Sequence, residues 1–373
     1  MENKKIVFIW NNLLIGGTEQ VLLEILKNLD KSRFKANIIL ILGSGSMESE
    51  FKKLEFPIFF AGPKKYFSSL LFKVIWILSL PFIFLRIMVF LEKINPDVVI
   101  TSLYQADILG IFAAWLCGVK RRIIIHHDVV RINPIIRWLK IKALQKANKI
   151  IAISDEVKIF LIEYFKVSAS KIEVIYNAID FEKFLCFQKS DNDWEPVFGI
   201  VARLNKIKGH IYILEALKKI KNEGVKLPAF IFVGDGPERK NLEIFAEEND
   251  LTNIKFVGET LEIGEYLKQM DVFVLPSLSE GLGVSLIEAL VAKKLIIASN
   301  IGGIKELIKH NKTGILVEPA NSDDLYKAIK WVLENKNEAL KLRTASFEWI
   351  NKNRHLFDTR DVSKNIANIY VNN

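Results

Sequence analysis

Residues 272–290 read VFVLPSLSEGLGVSLIEAL, and their order predicts a strand, a glycine-rich turn and a helix. The run 272–275 is apolar without alternation, which is typical of a parallel strand that helices bury on both faces. The turn contains Gly281 and Gly283, and we predict that the helix covers 283–292. Strand, turn and helix form the repeating unit of doubly wound α/β domains.

Apolar runs of the same kind recur along the whole chain, with helix-like segments between them. One series precedes residue 180 and a second follows residue 196. We therefore predict an α/β protein of two Rossmann-like, doubly wound parallel-sheet domains that face each other across a cleft. The runs are 5–10, 36–42, 57–61, 97–101, 121–126, 149–153, 172–176, 197–202, 229–233, 254–257, 272–275, 295–299 and 314–317.

A polar stretch between the two series marks the predicted domain boundary. Residues 188–196 include Ser-Asp-Asn-Asp and lack apolar periodicity, which is typical of a linker. The predicted domains are 1–187 and 197–350, and 351–373 is predicted to be a helix that packs back on the first domain. A chain of 373 residues is also too long for one ordinary core.

The composition is that of a globular protein with a basic surface. Half of the residues are apolar, and 52 Lys and Arg against 43 Asp and Glu give a net charge of +9, which favours anionic partners. Cys117 and Cys186 match no metal or redox spacing, so we expect free thiols in a reducing compartment. The apolar run 6–10 is too short for a signal peptide, and a cytoplasmic protein is expected.

Segment 64–93 is more apolar than a helix with one solvated face should be. Its longest uncharged run, 74–85, covers 12 residues, whereas a membrane span needs about 20. A helix buried against the sheet explains part of this composition. We also expect peripheral contact with the inner face of the cell membrane. The basic residues available for lipid headgroups are Lys64, Lys65, Lys73, Arg86 and Lys93.

Two glutamates in 272–290 have the chemistry of a ligand site. Glu280 lies in the glycine-rich turn, and Glu288 lies about two turns further along the predicted helix. Glycines let a ligand approach the backbone, and a helix N-terminus offers free N–H groups to an anion. Carboxylates accept strong hydrogen bonds from sugar and ribose hydroxyls. The alternatives are a solvated helix carboxylate for Glu288 and a dipole-complementing one for Glu280.

This stretch resembles the signature of the retaining family-4 glycosyltransferases, whose two-domain architecture is called GT-B. The signature reads Ser-x-x-Glu-Gly-x-Gly-x-x-x-x-Glu-Ala, and residues 277–289 fit it. The resemblance implies that Glu280 contacts the donor sugar and Glu288 the ribose. It also places Gly281, Leu282 and Gly283 in the donor site.

Other segments of the second half are similar to the same family. In 201–209, the resemblance assigns Arg203 and Lys208 to the donor pyrophosphate. Two fixed cations offset the charge that develops on the leaving nucleoside diphosphate, and a surface pair of basic residues is the alternative. Segment 233–237 resembles a family turn, and 256–258 places Val257 near the donor base.

Two loops of the first half also match the family. Gly16 and Gly17 precede a predicted helix, where the family has a loop that closes over the donor; a simple tight turn is the alternative. His126, His127 and Asp128 follow the predicted strand 121–126. His127 aligns with the family histidine close to the reacting sugar, and we expect His126 to point away, because successive strand residues face opposite sides.

No metal site or cofactor is expected beyond the nucleotide sugar itself. Asp191-x-Asp193 resembles the metal-binding pair of the other glycosyltransferase fold, but it lies in the predicted linker rather than at a strand end. No cluster of His and Cys has zinc spacing. Family membership implies retention of the anomeric configuration without a required metal.

These features predict a hexosyltransferase or N-acetylhexosaminyltransferase that uses a UDP-sugar, or less favourably a GDP-sugar. We expect a saccharide or lipid-linked saccharide acceptor in polysaccharide, lipopolysaccharide or capsule biosynthesis. A UDP-sugar epimerase of the same architecture and a non-catalytic sugar-nucleotide-binding partner subunit remain alternatives. Nucleic-acid binding is not expected, because the positive charge is scattered and no recognition motif accompanies it.

Overall fold

The computed structural model describes residues 3–64, 70–185 and 195–371. Within these residues the chain forms one seven-stranded and one six-stranded parallel sheet. The sheets belong to two compact units, which are Met1–Ala178 with Thr359–Asn373 (unit 1) and Ile179–Asp358 (unit 2). The predicted α/β class with two Rossmann-like parallel-sheet domains is confirmed.

Unit 1 has the strand order β3-β2-β1-β4-β5-β6-β7. Its strands are β1 Lys4–Trp10, β2 Phe34–Leu40, β3 Ile58–Phe60, β4 Val98–Ser102, β5 Arg121–His126, β6 Lys149–Ala152 and β7 Ile172–Val174. Its helices are α1 Gly17–Lys27, α2 Glu48–Lys52, α3 Leu70–Ile94, α4 Tyr104–Leu116, α5 Pro134–Lys146 and α6 Asp155–Glu163, together with a 3-10 turn at Ala169–Lys171 and the C-terminal helix Thr359–Val371.

The helices α3, α4 and α5 lie side by side on one face of this sheet. Each connects a strand to a parallel strand in the same direction across the sheet, and such crossovers are almost always right-handed. α4 contacts both α3 and α5. Ile83, Ile87 and Leu91 of α3 recur at a spacing of four residues and pack with the strands in one buried cluster. Replacing Ile87 with Ala would cost about 2–5 kcal/mol of stability.

The C-terminal helix Thr359–Val371 is part of unit 1. Tyr370 is buried there, and its ring meets Phe8 and Phe34 edge to face, at centroid distances of 6.4 and 6.1 Å. Segment 351–373, expected to be one helix, is therefore divided. Residues 351–358 belong to unit 2, and the helix of unit 1 begins at Thr359.

Unit 2 has the strand order β10-β9-β8-β11-β12-β13. Its strands are β8 Phe198–Val201, β9 Phe230–Val233, β10 Ile254–Gly258, β11 Val272–Leu275, β12 Leu295–Ser299 and β13 Ile315–Val317. Its helices are α7 Phe181–Leu185, α8 His210–Asn222, α9 Arg239–Glu248, α10 Ile263–Gln269, α11 Val284–Val291, α12 Ile304–Leu307, α13 Ser322–Glu334 and α14 Lys336–Lys352, with 3-10 turns at Lys206–Lys208 and Arg354–Leu356.

The strand order of unit 2 reverses between β8 and β11. Successive connections run outward from this point in both directions, so the loops that follow β8 and β11 diverge at the carboxyl ends of neighbouring strands. Such a switch point is where open α/β sheets bind ligands. The loop after β8 carries Arg203 and Lys208, and the loop after β11 carries Glu280.

The compact units divide earlier than the predicted boundary, at 178/179 instead of 187/188. The reason is that 179–185 folds with the end of unit 2. Ile179 N donates to Phe357 O at 2.9 Å, and Arg354 lies over the Phe181 ring at 4.9 Å and pairs with Glu182 at 2.7 Å. Of the predicted linker, 188–194 lies outside the described residues, as do Cys186 and Asp191-x-Asp193.

The predicted interfacial segment 64–93 is mostly one helix, α3, with Pro81 inside it. Residues 65–69 lie outside the described part. In the ranges 3–64, 70–185 and 195–371, no helix has the length and apolarity required to cross a bilayer.

Candidate functional site

The loops that follow β8 and β11 pack directly against each other. Leu278 N donates to Ile207 O at 2.6 Å. Gly209 has a φ of +70°, and a Cβ atom there would lie 2.0 Å from Pro276 O. Because only glycine tolerates both the left-handed backbone and this approach, Gly209 brings the first loop against the second.

This packing places Lys208 beside Glu280. Lys208 Nζ lies 2.5 Å from Glu280 Oε2, and Ser277 Oγ donates to the same oxygen at 3.2 Å. The side chains remain 24% and 11% exposed, so the pair is open to a ligand. Asn205 caps the 3-10 turn by accepting from Lys208 N at 3.2 Å, which fixes the backbone that carries the lysine.

Arg203 belongs to the same loop but differs from Lys208 in its surroundings. Its side chain is exposed, and within the described ranges it has no hydrogen-bond or ion-pair partner. The loop thus presents one cation held by a carboxylate and one cation available to solvent. Two cations at a switch point can bind the two phosphates of a nucleoside diphosphate.

Glu288 is buried, with 3% exposure, on α11. The alternative of a solvated helix carboxylate is therefore wrong. α11 begins after Gly283, whose φ is +84°, so the helix covers Val284–Val291 and is shorter than predicted. Glycine at this position turns the chain so that the first N–H groups of α11 follow the Glu280 loop.

Gly281 and Leu282 contribute their backbone to this turn. Leu282 is fully buried, so its side chain belongs to the core and only its main chain can reach a ligand. Gly281 O lies where a Cβ atom on Gly303 would approach to 2.1 Å. The loop after β12 therefore supports the turn from below by close backbone packing.

Val257, predicted to lie near the donor base, is half-buried at the end of the edge strand β10. The neighbouring Gly258 O accepts from Gly234 N at 2.9 Å. Gly234 has a φ of +133°, and a Cβ atom there would lie 2.1 Å from Ala202 O. Close backbone contacts thus link the carboxyl ends of β8, β9 and β10. Val257 and Arg203 therefore both lie at the carboxyl ends of the strands.

His210 was not predicted from the sequence. It starts α8 directly after Gly209, is 2% exposed, and lies 5.9 Å from the Phe232 ring. Burial, with a smaller contribution from Lys208, lowers its pKa to about 3, so it is neutral at neutral pH. The sequence signal that could have identified it is its position on the otherwise apolar face of the predicted helix.

In unit 1, Gly16 and Gly17 lie at the N-terminus of α1. Gly16 is extended, with φ −172°, so its backbone angles do not require glycine. A Cβ atom there would lie 2.6 Å from Glu19 Oε2, the flexible end of a side chain. The turn therefore needs a small residue only because Glu19 folds back on it.

His126 and His127 both line one cavity of about 120 Å3 at the ends of β4 and β5. We expected His126 to point away, but the strand ends at His126, so alternation does not extend to His127. His126 is buried, and its ring stacks on Phe160 at 6.3 Å. The cavity is lined by Leu103, Tyr104, His126, His127, Asp128, Val130, Ile132, Lys140 and Phe165.

Both histidines are electrically neutral at neutral pH. Desolvation lowers the pKa of His127 to about 3, assisted by His126 and Lys140, and burial lowers the pKa of His126 as well. The Nε2 atoms of both rings are buried and have no hydrogen-bond partner within the described ranges. A neutral imidazole can accept from or donate to a hydroxyl group.

A fully buried ion pair lies beside this cavity. Lys140 of α5 pairs with Asp107 of α4, and Thr101 Oγ1 donates to Asp107 Oδ1 at 2.5 Å. Burial raises the pKa of the Asp107 carboxyl, and the lysine and threonine oppose that change. The sequence contained a signal for this pair that we did not use: Asp107 is the only charged residue in α4.

Leu103 connects β4 to α4 with strained backbone angles, φ +71° and ψ 148°. A residue with a Cβ atom in this region is held there only when its surroundings over-determine it, and such strain concentrates at functional sites. Leu103 lines the cavity of the two histidines. In the part of the chain that the structure describes, no group of three or more His, Cys, Asp or Glu side chains is placed to hold a metal ion.

Two family models and several known proteins are similar to this chain. Residues 182–349 match the family model "Glycosyl transferases group 1", and residues 15–183 match "Glycosyltransferase Family 4". The chain is 31% identical over 267 residues to an Escherichia coli protein, UDP-Gal:alpha-D-GlcNAc-diphosphoundecaprenol alpha-1,3-galactosyltransferase. The match covers 66% of this chain and 68% of that relative.

Two further proteins match over almost the full length. A Campylobacter jejuni protein, N-acetylgalactosamine-N,N'-diacetylbacillosaminyl-diphospho-undecaprenol 4-alpha-N-acetylgalactosaminyltransferase, is 26% identical over 361 residues, covering 92% of this chain and 95% of the relative. HepE from Anabaena, whose crystal structure contains UDP and glucose, superposes with a TM-score of 0.83 at 21% identity and covers 100% of both chains. That likeness shows the fold.

Proposed function

The chain belongs to glycosyltransferase family 4, and on that premise we propose that it transfers a hexose or N-acetylhexosamine from a nucleotide diphosphate sugar to a saccharide or lipid-linked saccharide. Both curated relatives are named for transfer onto glycans carried by undecaprenol diphosphate, which supports a lipid-linked acceptor. The proposed setting is cell-surface glycan biosynthesis.

One observation carries the proposal: the open Lys208–Glu280 pair lies at the switch point of unit 2, and the exposed Arg203 belongs to the same loop as Lys208. In the proposed complex the donor phosphates accept hydrogen bonds from the N–H groups of Arg203 and Lys208. Glu280 then accepts from a hydroxyl of the donor sugar, because Ser277 already holds the carboxylate in place. Glu288 is assigned to the ribose, and the N–H groups at the start of α11 face the phosphates.

This arrangement would stabilise the transition state more than the bound donor. Negative charge grows on the leaving nucleoside diphosphate as the glycosidic bond breaks, and fixed cations interact with it more strongly at that point. Removing one such donor group typically costs about 100- to 1,000-fold in rate. His127 is assigned to the reacting sugar, since its neutral ring can hydrogen-bond a hydroxyl without adding charge.

Three finer features are part of the same proposal. We favour UDP as the nucleotide, which the UDP-Gal donor in the name of the Escherichia coli relative supports.

We favour retention, because both relatives are named for alpha linkages, and an alpha linkage made from an alpha-linked nucleotide sugar retains configuration. We favour catalysis without a metal, with Arg203 and Lys208 supplying the positive charge. Full activity in EDTA would support the last point, and loss of activity restored by a divalent ion would refute it.

The proposed enzyme works at the inner face of the cell membrane, with α3 in contact with lipid. Leu78, Phe82, Leu85 and Val89 of α3 form one stripe at helical spacing, and each is at least 58% exposed. Arg86 lies over the Phe82 ring at 5.9 Å, near the edge of this stripe. An apolar stripe with a cation beside it suits the interface between lipid tails and headgroups.

An NMR screen of UDP- and GDP-sugars, with and without a membrane lipid extract as acceptor, tests the function. We expect acceptor-dependent release of the nucleoside diphosphate, lost about 100-fold or more in Glu280→Gln and Arg203→Ala. Lys206→Ala, an exposed cation of the same loop, serves as the matched control. Turnover without acceptor would instead indicate an epimerase, and binding without turnover a partner subunit. An inverted anomeric product would refute retention.

A further inference from the structure

The outward side of α4 and α5 is an exposed apolar surface outside segment 64–93. On α5, Ile135 is 72% exposed and Trp138 is 58% exposed, and they lie one turn apart. On α4, Trp115 is 42% exposed and Leu116 is 55% exposed. Because α4 and α5 contact each other on one face of the sheet, these side chains belong to one layer of helices. Exposed apolar patches of this kind mark sites of interaction.

Basic side chains accompany the two tryptophans. Lys142 Nζ lies 5.9 Å from the centroid of the Trp138 ring, and Lys146 Nζ lies 3.8 Å from that of Trp115. Segment 129–147 contains five Lys and Arg and no Asp or Glu. Lys140 is sealed in its ion pair and Arg137 donates to Tyr164 O, whereas Lys142 is exposed and Lys146 is partly exposed on α5. The surface is thus apolar in composition and positive in charge.

Tryptophan and lysine have complementary preferences at a bilayer surface. The indole ring is apolar with one polar N–H group, and it is enriched at the level of lipid headgroups. Lysine lays its methylene groups along apolar surface and extends its ammonium group to phosphate or water. Each cation near an anionic surface contributes about 1 kcal/mol, which corresponds to about fivefold in binding.

We propose that α4 and α5 form a docking surface for anionic lipid bilayers, with Trp115 and Trp138 as interfacial anchors and Lys142 and Lys146 as the groups that select anionic headgroups. The proposal rests on the proposed function only in that a lipid-linked acceptor requires work at a bilayer. It adds a second lipid contact beside the stripe on α3 and a requirement for negative charge.

Charge argues for a bilayer as the occupant rather than a second copy of this chain. A symmetric dimer joins the same patch of both copies, so the cations of α5 would meet their own counterparts. Segment 129–147 supplies no carboxylate to neutralise them. An anionic bilayer offers both an apolar interior for the rings and phosphates for the lysines.

Vesicle flotation of the full chain tests the surface. Vesicles of phosphatidylglycerol with phosphatidylethanolamine are compared with vesicles of phosphatidylcholine alone. We expect preference for the anionic vesicles, a loss of about fivefold in partitioning for each of Lys142→Gln and Lys146→Gln, and a loss of about tenfold for Trp138→Ser. Unit 2 offers matched controls, because Lys218 lies 5.9 Å from the Phe245 ring and Ile244 is 41% exposed. Lys218→Gln and Ile244→Ser should bind vesicles as the unaltered chain does.

Equal partitioning of the α5 variants and the unit 2 controls would overturn the proposal. So would equal binding to both vesicle types, or sedimentation of the unaltered chain as a dimer that the α5 variants convert to monomer. Transfer to a water-soluble acceptor, measured on the same samples, separates this test from that of the enzyme. The α5 variants should keep that activity, and its absence in every sample would count against the proposed function alone.

Discussion

The two units each contain a lysine–carboxylate pair, and the pairs differ in what surrounds them. Lys140–Asp107 of unit 1 is sealed, with side chains 1% and 0% exposed, and joins two neighbouring helices. Lys208–Glu280 of unit 2 is open, with side chains 24% and 11% exposed, and joins two loops at the switch point of the sheet. Both pairs bridge segments distant in sequence.

The difference shows how exposure decides the use of an ion pair. Charges sealed from water cannot exchange partners without leaving a bare charge inside the protein, so the pair in unit 1 serves the fold. Charges that remain partly solvated can release one partner for a ligand at small cost, so the pair in unit 2 can take part in binding. Three variants test this contrast.

The largest effect is expected from Lys140→Met. The substitution leaves Asp107 buried with only Thr101 as a partner, and breaking a buried pair in this way costs about 3–5 kcal/mol of unfolding free energy. Denaturant unfolding measures it, and the double variant Asp107→Leu/Lys140→Met should recover much of the loss. If the single variant were as stable as the unaltered protein, the pair would not have the role we assign to it.

Lys208→Met should change activity rather than stability. The pair is partly solvated, so its removal should cost about 1 kcal/mol or less in unfolding. The loss of a cation at the donor phosphates should lower kcat/KM about 100- to 1,000-fold, or about 3–4 kcal/mol in the barrier. Steady-state kinetics with the identified donor provide the test. A large loss of stability together with unchanged kcat/KM would reverse the contrast.

The buried histidines should contribute a steeper loss of stability in acid to unit 1 than to unit 2. Folded His127 and His210 have pKa values of about 3, and the pKa of His126 is also lowered, whereas unfolded histidine titrates near 6.5. The unfolded chain therefore binds more protons between about pH 6.5 and 3, and stability falls as the pH decreases through that window.

Each such proton contributes at most about 1.4 kcal/mol per pH unit, with two histidines in unit 1 and one in unit 2. Hydrogen exchange of peptides from each unit at several pH values measures the difference. His126→Gln should flatten the response of unit 1 without changing that of unit 2. An unchanged slope of unit 1 in His126→Gln would contradict the assigned environment of that histidine.

The candidate site of unit 2 could be predicted from the sequence because its signals are local. The run 272–275 is a strand, and Gly283 directly precedes a helix. The loops carrying Lys208 and Glu280 each follow a strand that the pattern identifies. The apolar runs also predicted the two parallel sheets. A strand that is buried on both faces is a continuous apolar run, which can be recognised without knowing its neighbouring strands.

The features that were missed depend on distant parts of the chain. Asp107 and Lys140 are 33 residues apart and meet only because α4 and α5 pack together. The left-handed φ of Leu103 has no marker such as glycine in the sequence. The division at 178/179 was missed for a similar reason, since Ile179 pairs with Phe357 near the other end of unit 2.

Calorimetric titration of UDP against the chain tests the central claim most directly, that Arg203 and Lys208 of unit 2 bind the donor phosphates. The same titration is made with Arg203→Ala, Lys206→Ala and a variant of the unit 1 cavity, His127→Gln. We predict that Arg203→Ala weakens binding about tenfold or more, as expected for a lost charged contact, while Lys206→Ala and His127→Gln bind UDP as the unaltered chain does. Unchanged affinity in Arg203→Ala, or a loss in His127→Gln alone, would contradict the assignment of the donor phosphates to unit 2.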